Sequence, residues 1–253
     1  MIKRSTMLRI LSLWILLLSS FYAKEARVNY SVKFGIIGEV AKADAVLTTS
    51  DNRYTLEATV QVTGMIAKAV TDNLKERHIS KGYIRNGKLV TDTYRMIKSY
   101  GEYNSDTTYR LDHKKKRLYR HDIKWKKGVK VLDKNRRLPY YGRSDMMTLF
   151  LNLPTLVKSY KNPSLLQFKV VGADKKNGRV DLRMTTPKAL PKMRKLLGEE
   201  KKEEWFATLI MHRELYQSKQ GELEIKMRND GILQKAVLKD LVFFGDLRIE
   251  LIK

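Results

Sequence analysis

From Val28 onward, apolar and polar residues alternate with a period of two, the spacing of strands that bury one face. Val28, Tyr30, Val32 and Phe34 alternate with Asn29, Ser31 and Lys33, and Leu56, Ala58, Val60 and Val62 alternate with Glu57, Thr59 and Gln61. The rhythm returns at Phe168 and Val170, at Val180, Leu182 and Met184, at Leu223, Ile225 and Met227, and at Leu247, Ile249 and Leu251. Clusters of turn-forming residues stand between the runs: Ser50-Asp51-Asn52, Asn86-Gly87, Asn104-Ser105-Asp106, Asn177-Gly178 and Asn229-Asp230-Gly231. Asparagine and glycine adopt the positive φ that tight hairpins need. Regular spacing of strand and turn predicts an antiparallel meander.

Three segments break the rhythm. Gly64 to Leu74 is compatible with a short helix or with a strand continued over a bulge. Ser144-Asp145 is a good N-cap pair, and the apolar MMTLFLNL that follows predicts a short helix closed by Pro154, with 154–160 extending the helical region after a kink. Pro187 to Glu204 carries Leu190, Met193, Leu196 and Leu197 at helical spacing before the charged run 199–204, and predicts a second helical insertion. No repeat or low-complexity linker divides the chain, so residues 24–253 read as one β-rich domain.

The first 23 residues follow a different pattern. Lys3, Arg4 and Arg9 precede the apolar run Ile10 to Leu18, and Ser19-Ser20-Phe21-Tyr22-Ala23 follows before charge resumes at Lys24. That is the order of a secretory signal, and the run is short for a span that needs about 20 residues. Residues 1–23 are expected to direct export to the periplasm and to be cleaved near Ala23; retention as an N-terminal anchor is the alternative. No later stretch approaches the length of a span. The sequence has no cysteine, which excludes disulfides, thiolate metal sites and a lipidated N-terminal cysteine.

Net charge adds a preference for anionic partners. Subtracting the leader's three cations from +24 leaves +21, a field that favours anionic lipid, lipopolysaccharide or acidic glycan. Export makes nucleic acid the less suited partner. Positive charge concentrates between Arg110 and Arg143, where Lys114, Lys115, Lys116, Arg117, Arg120, Lys124, Arg136 and Arg137 interleave with Tyr109, Tyr119, Trp125, Tyr140 and Tyr141. On a sheet such a mixture can stack rings and neutralise acidic groups. The plainer reading is an exposed hairpin with Leu111, Leu118 and Ile123 turned inward and lysines outward.

Catalytic and cofactor motifs are missing: there is no GxSxG, P-loop, GxGxxG or HExxH. No motif requires a cofactor. His113 and His121 flank a lysine-rich turn where they could face each other, but the surrounding charge opposes a cation. A carboxylate pair such as Asp92 with Glu102 is the kind that glycoside cleavage uses.

Four segments together resemble a bacterial exported family, the domain of unknown function DUF3108: Tyr30-Ser-Val-Lys-Phe-Gly-Ile-Ile-Gly-Glu; Tyr54-Thr-Leu-Glu-Ala with Val62-Thr-Gly-Met-Ile-Ala; Ser80-Lys-Gly-Tyr-Ile with Asn86-Gly-Lys-Leu; and Asn229-Asp-Gly-Ile-Leu-Gln-Lys-Ala with Gly245-Asp-Leu-Arg-Ile-Glu-Leu. The helix near Asp145 falls where members of that family carry an Asp-led helix between strand groups. A proline that the family often has after the Asn86-Gly87 turn is replaced here by Val90-Thr91-Asp92. The resemblance implies a mainly β fold, one strongly curved antiparallel sheet like the half-barrels of periplasmic lipoprotein carriers, with helices over its open side, and no catalytic residues. If Met146, Met147, Leu149, Phe150 and Leu151 cover the concave face, the space beneath suits an acyl chain and the basic rim its anionic head. The function expected is thus a binding or carrier protein for an anionic amphiphile. A non-enzymatic module that binds an envelope protein or acidic polymer through its basic face is the alternative.

Overall fold

The computed structural model describes residues 24–157, 164–173, 176–211, 222–241 and 245–252; the leader and His212 lie outside them. In chain order the first eight strands are β1 (Lys24–Phe34), β2 (Gly38–Ser50), β3 (Arg53–Val62), β4 (Lys75–Arg85), β5 (Lys88–Tyr100), β6 (Tyr103–Asp112), β7 (Arg117–Lys126) and β8 (Val129–Leu138). A two-residue β9 (Ser144–Asp145) leads into the second group: β10 (Leu165–Val171), β11 (Arg179–Met184), β12 (Glu204–Met211), β13 (Glu222–Arg228), β14 (Leu233–Leu241) and β15 (Gly245–Leu251). All belong to one sheet, in the order β8-β7-β6-β5-β4-β3-β2-β1-β15-β14-β13-β12-β11-β10-β9. Each neighbouring pair is antiparallel except β9 with β10. The chain meanders from β1 out to β8, crosses to the far edge, and meanders back until β15 pairs with β1.

The sheet curls until its far edge meets its own face. The Thr91 amide on β5 donates to the carbonyl of Arg143, just before β9, at 2.9 Å. A Cβ built on Gly172, just after β10, would lie 2.8 Å from the Tyr94 ring, so only glycine lets this edge approach. A proline at position 91 would lose this bond, because the strand uses the Thr91 amide here.

Most of the turns fall where turn chemistry puts them. Asn86 and Gly87 have φ of 51° and 69°, the consecutive left-handed pair of a two-residue hairpin. Asn104-Ser105-Asp106, however, lies inside β6; the turn sits at Gly101, and Asp106 is held mid-strand by the Arg95 guanidinium of β5 at 2.9 Å.

Among the described residues three short α-helices complete the fold, besides a single 3-10 turn at Gly35–Ile37. The open choice at 64–74 resolves as α1 (Met65–Val70). α2 (Met146–Leu156) starts at Asp145 as expected but runs through Pro154, whose position near the end forfeits a single hydrogen bond, to the Phe150 carbonyl. α3 (Leu190–Leu197) stops at Gly198, with φ of 80°, so Glu199 to Lys202 lie beyond it. Among the described residues no helix is long and apolar enough to cross a membrane.

The core has two characters. Between β10–β14 and α2 it is aliphatic, built on Leu149, Leu153, Val180, Leu182, Leu209, Ile225 and Met227. Between β5–β8 and the end of β10 it is built on Tyr94, Tyr109, Leu118, Leu138, Tyr140 and Val171. The open edge of the sheet is β8, where lysines and a bulge near Val131 discourage another chain from pairing.

Candidate functional site

The site is built around the anchoring of α2. Asp145 is fully buried, and its Oδ1 accepts from the amides of Met147 at 2.9 Å and Thr148 at 3.2 Å. Its Oδ2 accepts from the hydroxyls of Ser80 at 2.5 Å, Thr91 at 2.9 Å and Thr148 at 3.2 Å. No lysine, arginine or histidine among the described residues pairs with it, so five donors and the positive end of the helix dipole hold the carboxylate. Tyr54 adds its hydroxyl, 3.0 Å from Ser80 and 3.3 Å from Thr91; burial and then the Asp145 charge push its phenol far above the ordinary value, so it remains a donor. Two helical turns further on, Asn152 clamps the backbone of Leu89 at both ends, each bond 2.8 Å. Together these bonds fix α2 across the face of β3–β5.

Under the other side of α2 lies an apolar cavity of about 240 Å³. Met147, Phe150 and Leu151 roof it, and Gly231 to Leu233 from the β13–β14 turn wall one side. Its floor is made of small residues that alternate along β1–β3: Ala26 and Val28, Ala43 and Ala45, and Ala58. Their size creates the hollow. Neighbouring floor positions are in register, Val28 opposite Ala45 and Ala45 opposite Ala58.

Beyond the cavity the same face turns polar. Following the register from Ala58, the row continues through His78, Met96, Thr107, Asp122 and Lys134. A parallel row carries Glu76, Lys98, Ser105, Lys124 and Leu132, and another Ser80, Tyr94, Tyr109, Arg120 and Arg136. This shelf has five lysines and arginines against two carboxylates. Asp122, buried, bridges Arg120 at 2.6 Å and Arg136, and Thr107 donates to it at 2.8 Å. Burial alone would raise its pKa, but these donors hold it below the usual range. Arg120 also lies 5.4 Å over the Tyr109 ring. The buried Nε of Arg136 has no partner.

Closer to the cavity, Glu76 accepts from Lys98 at 2.6 Å and lies 3.0 Å from His78 Nε2. His78 Nδ1 is 2.8 Å from the Tyr94 hydroxyl. Burial pushes the Tyr94 phenol well above its ordinary value, so its hydroxyl stays a donor.

The sequence-derived basic set is divided by this geometry. Arg120, Lys124 and Arg136 face the shelf, whereas Arg117 and Arg137 face outward and Lys114, Lys115 and Lys116 form the β6–β7 turn. Ile123 also turns outward, because it stands five positions, an odd offset, from Leu118; Asp122 takes the inward place. Of the expected lid, Met147, Phe150 and Leu151 cover the cavity, while Leu149 and Met146 pack into the aliphatic core. Asp92 lies within β5 and Glu102 in the turn beyond its end; the eight residues from Asp92 to Tyr100 alone span roughly 26 Å by strand rise, too far for paired catalysis. His113 bonds Tyr141 and Asp92 while His121 bonds Asp133, so they do not face each other. No group of three or more His, Asp or Glu among the described residues is placed to hold a metal. The small cavity residues and the Glu76–His78–Tyr94 chain escaped sequence reasoning; the alternation of alanines along 41–47 was the available signal.

Comparison with known proteins agrees with the resemblance read from the sequence. No curated protein matches the chain. Among solved structures, a β-barrel-like protein of the domain of unknown function DUF1849 from Brucella abortus aligns at 12% identity and a TM-score of 0.47, over 91% of this chain and 96% of that one. The family described as "Protein of unknown function (DUF3108)" matches residues 29–228, which include the roof of the cavity, most of its floor and the polar shelf, and the chain belongs to that family.

Proposed function

We propose that this protein binds or carries an anionic amphiphile of the cell envelope in the periplasm, the tail under α2 and the head on the cationic shelf. The observation that carries the reading is the cavity, whose lining is hydrocarbon apart from Tyr30 and Asp44. At about 240 Å³ it exceeds the ~150 Å³ hydrocarbon cavity known to take benzene and falls short of the ~300 Å³ of a full ligand pocket. It therefore suits a length of alkyl chain, with the rest of the ligand outside. From Ala58 to Asp122 is four strand spacings, roughly 19 Å. A chain leaving the cavity along this row meets Lys98, then Arg120 and Arg136.

The test is calorimetric titration with dodecanoate and with dodecanol. Dodecanoate is expected to bind more tightly than the alcohol. Ala58→Phe fills the floor and is expected to weaken dodecanoate at least tenfold, equal to about 1.4 kcal/mol or roughly two buried methylenes. Wild-type protein that binds neither compound, or a folded Ala58→Phe protein that binds like wild type, would sink the proposal.

The outer face favours a second reading. Arg110, Tyr119 and Arg137 stand side by side on three strands, exposed and without an ion pair among the described residues, close to Lys114–Lys116. An acidic glycan fits that surface. Association with polygalacturonate is then expected to weaken steeply with salt and to drop in an Arg110→Glu, Arg137→Glu variant; salt-independent association would count against it.

A further inference from the structure

Most of the exposed large apolar side chains collect at one rim of the sheet. This is the rim formed by α1, the β5–β6 turn and the β7–β8 turn, opposite to the Lys114–Lys116 turn. Met65 is 87% exposed, Val129 66% and Val131 57%, and Tyr100 and Tyr103 are also exposed. Exposed singly such residues need no explanation; gathered, they do.

The three segments are physically joined. The Gly101 amide donates to the Asp72 carbonyl, just beyond α1, at 2.8 Å, and the Lys127 amide donates to the Glu102 carbonyl at 2.9 Å. Tyr100 and Tyr103 stack with centroids 5.5 Å apart, and Lys126 caps the Tyr103 ring at 5.4 Å. The rings thus stay ordered while facing water.

We propose that this rim docks on an anionic bilayer surface. Tyrosines with an apolar body and polar tip, flanked by lysines, suit the headgroup layer. Met65 and Val129 supply groups that gain by entering the acyl boundary. Lys68, Lys126 and Lys127 lie beside them, and the net charge of +24 provides longer-range attraction to acidic lipid. The polar shelf runs to the same rim, since the row next to Lys98, Ser105 and Lys124 on that face is Tyr100, Tyr103 and Lys126. Docking here would bring that shelf to the lipid surface, yet the inference stands whether or not the cavity takes a ligand.

Because the chain has no cysteine, one can be placed anywhere as a unique label site. Met65→Cys, Val129→Cys and, at the opposite rim, Lys115→Cys each receive an environment-sensitive nitrobenzoxadiazole dye. All share the same remaining chain, so anything outside the rim contributes equally. On phosphatidylcholine vesicles containing phosphatidylglycerol, the labels at 65 and 129 are expected to shift to the blue, and the label at 115 is not. An unlabelled Met65→Asp, Val129→Asp protein is expected to partition about tenfold more weakly in sedimentation. Its unchanged far-UV spectrum would show that it folds. Unshifted labels at 65 and 129, an equal shift at 115, or a shift without vesicles that grows with protein concentration, the mark of self-association, overturns the proposal.

Discussion

Asp145→Ala is expected to lower unfolding free energy by about 3–5 kcal/mol. The cap alone accounts for about 1 kcal/mol. The remainder follows from what alanine leaves behind: the hydroxyls of Ser80, Thr91 and Thr148 and the Met147 amide lose a buried acceptor. Each buried donor left unmade costs about 1–3 kcal/mol, reduced where Tyr54 and Thr91 can pair with one another. Asp145→Asn keeps the shape and one acceptor oxygen, so its loss should be about half. Urea midpoints at constant slope measure both. Since Asp145 seats the roof of the cavity, dodecanoate binding should fall with stability in the same order. A loss below about 1 kcal/mol for Asp145→Ala would mean that the network is dispensable.

That network marks the limit of what the sequence discloses. Ser144-Asp145 before an apolar run announces a helix start, and it starts there. Nothing local says that the carboxylate will be buried, because its hydroxyl partners come from residues 80 and 91, brought near by the curling of the sheet. The lid was legible as a composition and not as a face: MMTLFLNL is apolar all round, and only the two surfaces that it separates decide that Leu149 faces the core while Leu151 faces the cavity. Strand alternation was read well wherever one side is aliphatic. It was misread on β7, where the inward places are held by Arg120 and Asp122 and the bulky Ile123 points outward. A buried ion pair inverts the polarity rule on which alternation depends. Asn104-Ser105-Asp106 misled for a related reason, since Arg95 pairs with Asp106 and makes a strand position of a turn-forming residue.

Acid is expected to weaken the folded state through Glu76, by about 3 kcal/mol between pH 4.5 and pH 2. Burial pushes this carboxyl's pKa upward, but the bonds from His78 and Lys98 outweigh burial and hold it at about 2, against an ordinary value of 4.5. In that window the unfolded chain binds a proton that the folded one does not, so stability rises with pH. The contribution is complete above about 4.5 and lost as pH falls through about 2; each unit of difference is about 1.4 kcal/mol. Glu57, Asp122, Glu200 and Glu250 are shifted the same way, so the wild-type slope has several sources. The discriminating quantity is therefore the difference between wild type and Glu76→Gln, which should shrink as the solution is acidified from pH 5. Parallel stability curves would show that Glu76 is not held by its partners. The same variant bears on ligand binding. With Glu76 neutralised, Lys98 loses its carboxylate partner one row from the cavity floor, and an incoming anionic head no longer competes for it. Glu76→Gln should therefore bind dodecanoate more tightly and dodecanol unchanged, an opposite sign for stability and affinity that general loosening of the fold does not produce.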